Sequence, residues 1–308
     1  MESYLKLISK IINEGKLQPN RTGIDALVIS GYLFEHNMSE GFPLLTTKKM
    51  AWNSIKVELE GFIKGITDKK WYQDRGCHIW DEWCNPEKVS YGHDEGTKKK
   101  MKEERDLGPI YGFQWRHFGA DYGKYSEDSK KDELECLKMK KRIPAYEINY
   151  EGRGKDQLKD LLEKLKKNPY DRRMKVSAWN PVDIPKMALA PCHYCFSCIV
   201  LEDKLDLIWN QRSVDSMLGL PFNIASYALL LHLIAQESGL KEGKLIGFLE
   251  NVHIYKNHIG NALEQLKRKP LKLPSIESNF NSIFDWEHHQ SKLLNYKHHP
   301  KLNFEIAV

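Results

Sequence analysis

The spacing of apolar residues predicts a chain in which helices and strands are intermixed. Apolar positions recur at helical spacing, or run nearly unbroken, in five stretches: 4–14, 51–63, 155–167, 222–237 and 257–267. Short or alternating apolar runs predict strands at 26–36, 174–180, 192–202, 204–212 and 245–255. Because the two kinds of element do not alternate strictly, we predict an α+β fold with a large mixed β-sheet flanked by helices.

Two polar stretches interrupt this pattern. Residues 91–105 and 123–150 are rich in Lys, Glu and Asp and lack periodic apolar residues, which is typical of solvated surface insertions. A functional basic patch is the less favoured interpretation. No repeat and no Pro-rich or Ser-rich linker divides the chain. We therefore predict a single domain over residues 1–308 that carries both insertions.

The composition is that of a globular protein. Of the 308 residues, 41% are hydrophobic and 29% charged, which allows a large core and excludes a disordered or collagen-like chain. The net charge of +5 is spread along the chain and gives little support for nucleic-acid binding. Glu2, Lys6 and Lys10 interrupt the N-terminal apolar residues, unlike a signal peptide or membrane span. We expect a cytoplasmic protein that requires neither membrane nor nucleic acid.

Six cysteines without a secretory signal predict free thiols. Cys192, Cys195 and Cys198 have a spacing that can hold a metal, but no second pair completes a four-ligand zinc set. In a strand, Cys192 and Cys195 would also point to opposite faces. We therefore expect no metal, structural roles for Cys195 and Cys198, and a candidate nucleophile at Cys192, whose thiolate nearby cations could favour. A metal-binding structural protein remains an alternative.

Several arginines could bind a phosphate group. The guanidinium groups of Arg21, Arg172, Arg173 and Arg212 can hold a phosphate through paired hydrogen bonds, and Ser213 adds a hydroxyl beside Arg212. Any one of these arginines taken alone is more often a solvated surface residue. Only their combination suggests a phosphomonoester ligand.

Other side chains could recognise a planar ring. Asn223 lies at the start of the apolar stretch 222–237 and offers a donor and an acceptor that match N3–H and O4 of uracil, although an asparagine at a helix start is often only a cap. Trp80 and Trp83 could stack on a planar ligand or fill the core. On the predicted helix at 51–63, Glu58 and Glu60 lie on different faces, so only one of them can easily face a common pocket.

Eight motifs follow one another along the chain: RTG (21–23), GFPLLTTKK (41–49), IWDEW (79–83), DLGPIYGFQWR (106–116), DRR (171–173), MALAPCH (187–193), QRSVDSMLGLPFNIASYALL (211–230) and HIYKNH (253–258). Taken together, they resemble the thymidylate synthase family, in matching order and over nearly the whole chain apart from the polar insertions. The resemblance implies a homodimer that pairs sheet against sheet. It also implies conversion of dUMP and 5,10-methylenetetrahydrofolate, a cosubstrate, to dTMP and dihydrofolate.

The resemblance further implies roles for individual residues. Cys192 would add to C6 of the pyrimidine, Glu58 would move protons through ordered water, and Tyr111 would help to remove the C5 proton. The nucleotide would be bound by Arg21, Arg212, Ser213, Asn223, His253 and Tyr255, with Arg172 and Arg173 donated across the dimer interface. The folate would contact Lys48, Ile79, Trp80, Trp83, Leu189, Asp215, Gly219, Phe222 and the tail residue Ala307. Arg212, Asn223 and Asp215 also count among the implied catalytic residues.

A few positions depart from the usual family pattern. Glu60-Gly61 replaces Leu-Trp, Ala51 replaces a common His, and Glu250-Asn251 replaces Gly-Asp. A tryptophan lost beside the folate could admit water, which would give 5-hydroxymethyl-dUMP and leave tetrahydrofolate. The alternative hypothesis is therefore a dUMP hydroxymethylase. A cytosine substrate is disfavoured by Asn223, since dCMP-specific relatives carry Asp there. An inactive or RNA-binding member of the fold would require a broken site.

Overall fold

A mixed β-sheet lies at the centre of the computed structural model, which describes residues 1–124 and 143–306. Its six strands follow the order β1-β2-β6-β5-β4-β3. They are β1 (Lys16–Gln18), β2 (Ala26–Asn37), β3 (Lys175–Ser177), β4 (His193–Leu201), β5 (Lys204–Asp215) and β6 (Lys241–Tyr255). β5 and β6 run parallel and the other neighbours pair antiparallel, so the predicted mixed sheet is confirmed.

Helices cover one face and the edges of this sheet. They are α1 (Glu2–Glu14), α2 (Trp52–Lys64), α3 (Lys69–Gln73), α4 (Glu95–Glu103), α5 (Tyr111–His117), α6 (Gln157–Lys167), α7 (Gly219–Ser238) and α8 (Ile259–Leu266). The five predicted helices are all present with small shifts at their ends. The structure adds the short helices α3 to α5, strand β1, and a separate hairpin of β7 (Ser275–Ser278) and β8 (Ser291–Leu294).

The helix α7 forms the centre of the hydrophobic core. It is apolar on nearly all sides and packs against β5, β6 and α2, where most of its side chains are buried. Tyr227 on α7 stacks on Trp209 of β5, with ring centroids 5.5 Å apart. By length and composition α7 could span a membrane, but 67% of its most apolar stretch is buried inside the protein, as in a core helix.

The opposite face of the sheet is exposed and partly apolar. Leu33 on β2 and Phe248 on β6 are paired in register and expose 51% and 48% of their surface. Ile199 and Leu201 on β4 are also exposed. Isolated exposed apolar residues are normal, but large ones on adjacent strands of one sheet are typical of an interaction surface.

The first polar insertion is only partly solvated. Residues 91–105 include α4, most of which is exposed as expected, but Met101 is buried. The buried ammonium group of Lys69 donates to the carbonyl oxygens of Met101 and Trp83, at 2.7 and 2.8 Å. These bonds attach the insertion to the body of the protein. Most of the second insertion, residues 125–142, lies outside the described residues.

Two helices approach each other closely where α5 crosses α2. A Cβ atom on Gly112 would lie 2.6 Å from the backbone of Phe62, so the crossing requires glycine. We predict that Gly112→Ala lowers the free energy of unfolding by about 1–3 kcal/mol, because the helices must move apart. Chemical denaturation would measure the change.

Gly260 provides the matched control for this prediction. It lies on α8, with no atom within 4 Å of the Cβ that alanine would add, so Gly260→Ala should be neutral or slightly stabilising. Equal stability of the two variants would contradict the proposed close approach.

Candidate active site

A cavity of about 760 Å³ opens where the carboxyl ends of β5 and β6 meet the starts of β2 and β4. Parallel strands bring their carboxyl ends to the same edge of a sheet, and the side chains that follow them converge there. Eight of the predicted site residues line this cavity: Arg21, Trp83, Leu189, Cys192, Arg212, Ser213, His253 and Tyr255. The structure therefore brings together the residues expected at the phosphate, the ribose and the thiol.

Cys192 lies half-buried on the cavity wall, immediately before β4. Burial raises the pKa of its thiol above the ordinary value, while Arg212, then Tyr111 and Arg21, act in the opposite direction. The described chain alone therefore favours the protonated thiol. The arginines lower the pKa of the thiol, as expected, but they offset only part of the effect of burial.

Behind Cys192, three rings are stacked. The phenol of Tyr111 lies between Phe62 and His193, with centroid distances of 4.9 and 4.4 Å. Its hydroxyl oxygen accepts a hydrogen bond from the backbone N–H of Cys192 at 2.8 Å. Burial lowers the pKa of His193 to about 3, so this imidazole is neutral. The stack fixes the phenol hydroxyl of Tyr111 next to the nucleophile.

Arg212 is held by the backbone beside Cys192. Its guanidinium group donates to the carbonyl oxygens of Ala190 and Pro191, at 2.7 and 2.9 Å, and lies over the ring of Trp179. Two of its five N–H groups are used in these bonds, and the remaining donors can bind an anion in the cavity. The turn that carries Arg21 lies on the same cavity. Oδ1 of Asn20 accepts hydrogen bonds from the backbone N–H and the hydroxyl of Thr22, which stabilise this turn.

The orientation of the Asn223 amide is set by two residues of β5. The indole N–H of Trp209, which can only donate, bonds to Oε1 of Gln211 at 3.1 Å. The amide nitrogen of Gln211 must then donate, and it bonds to Oδ1 of Asn223 at 3.0 Å. This leaves Nδ2 of Asn223 free to donate to a ligand. Sequence reasoning missed Gln211, although it begins the motif QRS.

His253 and Tyr255 project from the end of β6 into the cavity. Nδ1 of His253 lies 3.2 Å from the carbonyl oxygen of Asn251 and 2.9 Å from its Oδ1. A carbonyl can only accept, so the proton is on Nδ1 and Nε2 is left as an acceptor for a ligand hydroxyl. Asn251, one of the departures from the family pattern, thus orients His253.

Glu58 is buried on α2 and is 7% exposed. Burial raises the pKa of its carboxyl group to about 7. The neighbouring indole of Trp80 lowers the pKa of Glu58 and so offsets part of this effect. Its N–H group forms no hydrogen bond within the described part of the chain. A carboxyl group with a pKa near neutrality can both donate and accept a proton, which is the property required of a general acid and base.

The two departures next to Glu58 are accommodated without a gap. A Cβ atom on Gly61 would overlap the ring of Tyr72, which is completely buried and donates its hydroxyl to the carbonyl of Ile66. Tyr72 therefore fills the space that a side chain at position 61 would need. Glu60 points elsewhere, as predicted, and accepts from Lys64 and His288 at 2.6 and 2.7 Å.

The other departures lie at the surface. Ala51 is exposed immediately before α2. Glu250 lies on the exposed side of β6, where it accepts a hydrogen bond from the hydroxyl of Tyr194 at 2.7 Å. Neither residue contacts Glu58 or the thiol in the hydrogen bonds described, so neither gives a reason to doubt the site.

The predicted folate residues form a less uniform group. Ile79, Trp83, Leu189 and Phe222 are half-buried against the core, Trp80 is buried, and Gly219 begins α7. Oδ1 of Asp215 accepts from the backbone N–H groups of Met217 and Leu218, both at 3.1 Å. The ammonium group of Lys48 is buried against the carbonyl of Met217, and burial lowers its pKa to about 8. Ala307 lies outside the described residues.

Two predicted phosphate ligands lie away from the cavity of their own chain. Arg172 and Arg173 are both exposed and neither lines the cavity. Arg173 forms a paired salt bridge with Asp171, at 3.1 and 3.2 Å. Their expected donation to another subunit stays a prediction.

The cavity is also lined by four residues of the first insertion: Tyr91, Gly92, His93 and Met101. Tyr91 and His93 lie on the wall that also carries Arg21, and the hydroxyl of Tyr91 bonds to Cys84 and Ala188. The polar composition of this segment gave no signal of that contact. Within residues 1–124 and 143–306, no group of three His, Cys, Asp or Glu side chains is arranged to hold a metal ion.

Comparison with known proteins identifies the family. The thymidylate synthase family model matches residues 2–308. The chain is 37% identical over 313 residues to a bifunctional dihydrofolate reductase-thymidylate synthase of Paramecium tetraurelia, covering 99% of this chain and 61% of that protein. It is 40% identical over 307 residues to the protein of the same name from Glycine max, covering 99% and 53%.

The chain thus belongs to the thymidylate synthase family, and it spans between half and two thirds of the length of these two relatives. The match covers both the sheet and the cavity residues. It establishes the fold and family, and the motifs quoted from the sequence fall within the matched range.

The raised pKa of Glu58 predicts a pH-dependent stability. The protonated carboxyl group is favoured in the folded state, so its contribution is fully present below pH 4.5 and is lost as the pH rises through about 7. Glu58→Gln should therefore be as stable as the wild type near pH 4 and more stable above pH 7.5, by roughly 3 kcal/mol. Denaturation curves at several pH values would measure this difference.

Glu95→Gln is the control, because that side chain is 94% exposed at the start of α4. It should show no such pH-dependent gain over the wild type. A Glu58→Gln variant whose advantage is constant from pH 4 to 8 would rule out a buried, proton-binding carboxyl group.

Proposed function

We propose that this protein converts dUMP to dTMP, with 5,10-methylenetetrahydrofolate as the donor of the one-carbon unit and the hydride, and releases dihydrofolate. The observation that carries the proposal is the shared cavity of Cys192 and Arg212, with Asn223 oriented by Gln211 nearby. A thiol, a phosphate-binding guanidinium group and an amide that matches uracil are the three functions a deoxyuridylate site needs. Family membership supports the same reaction.

Cys192 is the nucleophile in this proposal. Its sulfur forms a bond to C6 of the uracil ring, and the electrons of the C5–C6 double bond move toward O4, so that C5 becomes able to attack a one-carbon unit. Nδ2 of Asn223 is free to donate to O4, where this negative charge develops. Loss of the C5 proton would release the folate nitrogen and leave a methylene group on C5. Hydride from the tetrahydrofolate would then convert this methylene to the methyl group as the C5–C6 double bond reforms and the thiolate leaves.

Glu58 and Tyr111 handle the protons. Glu58, with a pKa of about 7, exchanges protons with the ring through water on the O4 side. The hydroxyl of Tyr111 is fixed beside Cys192 by its bond to the backbone N–H. It is therefore placed to assist removal of the proton from C5, on the same side of the ring as the thiol.

The nucleotide is held at both ends. Arg21, Arg212 and Ser213 bind the phosphate, which fixes the ring over the thiol. Nε2 of His253 and the hydroxyl of Tyr255 bind the 3′-hydroxyl of the deoxyribose. The folate lies between the half-buried apolar residues around Trp80 and Trp83, with Asp215 and Lys48 as its polar contacts. Ala307 belongs to the same proposed folate site.

The protein acts as a homodimer in this proposal. The exposed apolar residues Leu33 and Phe248 lie on the free face of the sheet, which suits sheet-to-sheet pairing. Arg172 and Arg173 do not line their own cavity. In this proposal they complete the phosphate site of a second copy, and Arg173 exchanges its salt bridge with Asp171 for the phosphate. We further propose that the dimer is cytoplasmic.

The filled space next to Glu58 favours methylation over hydroxymethylation. The alternative requires water to reach the one-carbon unit before hydride transfer. Gly61 removes the tryptophan that would exclude this water, but the buried ring of Tyr72 occupies the same space. The space at position 61 is therefore filled by protein and the carboxylate of Glu60 is bound by Lys64 and His288, which supports methylation over hydroxymethylation.

The decisive experiment is a product analysis. The purified protein is incubated with dUMP and 5,10-methylenetetrahydrofolate, the nucleotide is analysed by mass spectrometry, and dihydrofolate is followed by absorbance. We expect dTMP and dihydrofolate in a one-to-one ratio. Cys192→Ser should abolish turnover, because a serine hydroxyl is a far weaker nucleophile at neutral pH.

Two results would contradict the proposal in different ways. 5-Hydroxymethyl-dUMP without dihydrofolate would identify the hydroxymethylase. Unchanged dUMP from a folded protein would indicate an inactive member of the family.

The role of Tyr72 predicts a change of product. Tyr72→Leu removes the ring and opens space beside Glu58, so water should compete with hydride. We expect at least about a tenfold increase in the ratio of hydroxymethylated to methylated product. Tyr72→Phe is the matched control, since it keeps the ring and loses only the hydroxyl bond to Ile66. If the two variants give the same product ratio, Tyr72 does not exclude water.

A further inference from the structure

The first polar insertion forms one side of the cleft, which its composition did not predict. Tyr91, Gly92, His93 and Met101 all line the cavity. Among them, Tyr91 is 42% exposed, but its hydroxyl group is hydrogen-bonded to the backbone of the body of the protein. The proposed reaction gives Tyr91 no role, although it joins the insertion to two other sides of the cleft.

The hydroxyl group of Tyr91 contacts two separate segments of the backbone. Its oxygen lies 2.7 Å from the carbonyl oxygen of Cys84 and accepts from the backbone N–H of Cys84 at 3.3 Å. It also contacts the carbonyl oxygen of Ala188, so its single proton is shared between two acceptors. Burial raises the pKa of Tyr91 to about 12, which keeps this proton in place at neutral pH. One phenol thus connects residues 84 and 188.

Both of these segments carry predicted folate contacts. Trp83 directly precedes Cys84, and its ring meets that of Tyr91 edge-on, with centroids 6.1 Å apart. Leu189 directly follows Ala188, and both Trp83 and Leu189 line the cavity. The hydroxyl of Tyr91 therefore holds the backbone next to each of the two side chains.

The far end of the insertion is fixed as well. The ammonium group of Lys69, which is 1% exposed, donates to the carbonyl oxygen of Met101 in the insertion at 2.7 Å. It also donates to the carbonyl oxygens of Asp81 and Trp83, at 3.3 and 2.8 Å. Because the insertion is attached at Met101, Tyr91 has a fixed base from which to hold the two segments.

We propose that Tyr91 is a positioning residue that sets the spacing between Trp83 and Leu189, two sides of the folate-binding part of the cleft. Its hydroxyl arranges both segments before a ligand arrives, so a planar ligand that enters between them does not have to order them itself. This inference rests on the proposed function, because it takes folate as that ligand.

The nucleotide should depend little on this anchor. Its proposed ligands Arg212 and Ser213 lie on β5, and His253 and Tyr255 lie on β6, so the pairing of the sheet holds them. The segment after Leu189 rejoins the sheet at Cys192, whose carbonyl oxygen accepts from the backbone N–H of Arg212 at 2.9 Å. Loss of the Tyr91 hydroxyl should therefore affect folate binding and spare dUMP binding.

Tyr91→Phe tests the hydroxyl alone, because it keeps the ring beside Trp83. Since 42% of Tyr91 is exposed, we expect the variant to fold, which a denaturation curve would verify. Its KM for 5,10-methylenetetrahydrofolate at saturating dUMP should rise about five- to tenfold, as expected when a binding site loses one ordering hydrogen bond. Its kcat and its dissociation constant for dUMP should stay within about twofold of the wild type. A loss of stability alone would lower the active fraction, and with it kcat, without raising KM.

Two further measurements do not depend on turnover. Calorimetric titration of the dUMP-loaded protein with dihydrofolate should show a similar loss of folate affinity in Tyr91→Phe. Hydrogen exchange in the free protein should become faster in peptides that contain Cys84, whose backbone N–H bonds to the Tyr91 hydroxyl. Tyr170→Phe is the matched control, since Tyr170 is 66% exposed and does not line the cavity. It should leave all of these measurements unchanged.

The contradicting outcomes are distinct. If Tyr91→Phe changes neither the KM nor the affinity for folate, or if it weakens dUMP binding as strongly as folate binding, the positioning role is wrong. A wild type that forms dTMP, together with an unchanged Tyr91→Phe variant, would support the proposed function and overturn this inference. A wild type that forms no dTMP but binds folate, with weaker binding and faster exchange at Cys84 in Tyr91→Phe, would contradict the proposed function and support the positioning role.

Discussion

The parallel pairing of β5 with β6 is the constraint on which the site depends. In this register Ser213 faces Asn251 and Asp215 faces His253, so the two strand ends deliver their polar side chains to one edge of the sheet. β4 runs back beside β5, and the backbone N–H of Arg212 bonds to the carbonyl of Cys192 at 2.9 Å. A slip of one residue in either pairing would turn half of these side chains away from the cavity. The catalytic arrangement is thus a property of the sheet more than of any loop.

A parallel pair also needs a crossover, and here the crossover is the core helix α7. The same segment that closes the hydrophobic core starts with Gly219 and presents Asn223 within its first turns. Packing of Tyr227 on Trp209 fixes the helix against β5, and Trp209 begins the hydrogen bonds that orient Asn223 through Gln211. Trp209 therefore takes part both in the packing of the core and in the orientation of Asn223 toward a ligand. Burial sets the charge state around them, because it shifts the pKa values of Glu58, Lys48 and His193 toward their neutral forms.

The sequence allowed the long periodic elements and the residue types of the site to be predicted, since both are local or follow a family pattern. The helix at 222–237 and the strands at 26–36 and 245–255 are recognisable from their own residues. Short elements such as β1 and α3 have too few residues for a period to show. Contacts between distant segments could not be predicted either, because they exist only once the chain has folded. The ring of Tyr72 occupies the place of a side chain at Gly61, and Tyr91 lines the cavity. The departure at 60–61 looked like a gap for this reason.

Burial of Cys192, which favours its protonated form, also affects how the thiol reacts with oxidants when no ligand is bound. Peroxides and low-molecular-weight disulfides react with thiolates, and a half-buried thiol whose pKa is raised by burial offers them little of that form. Arg21 and Arg212 are close enough to offset this effect only in part. On the contribution of its own chain, the thiol of Cys192 thus offers less thiolate to oxidants than a thiol of ordinary pKa, and this follows from the same burial that shapes the cavity.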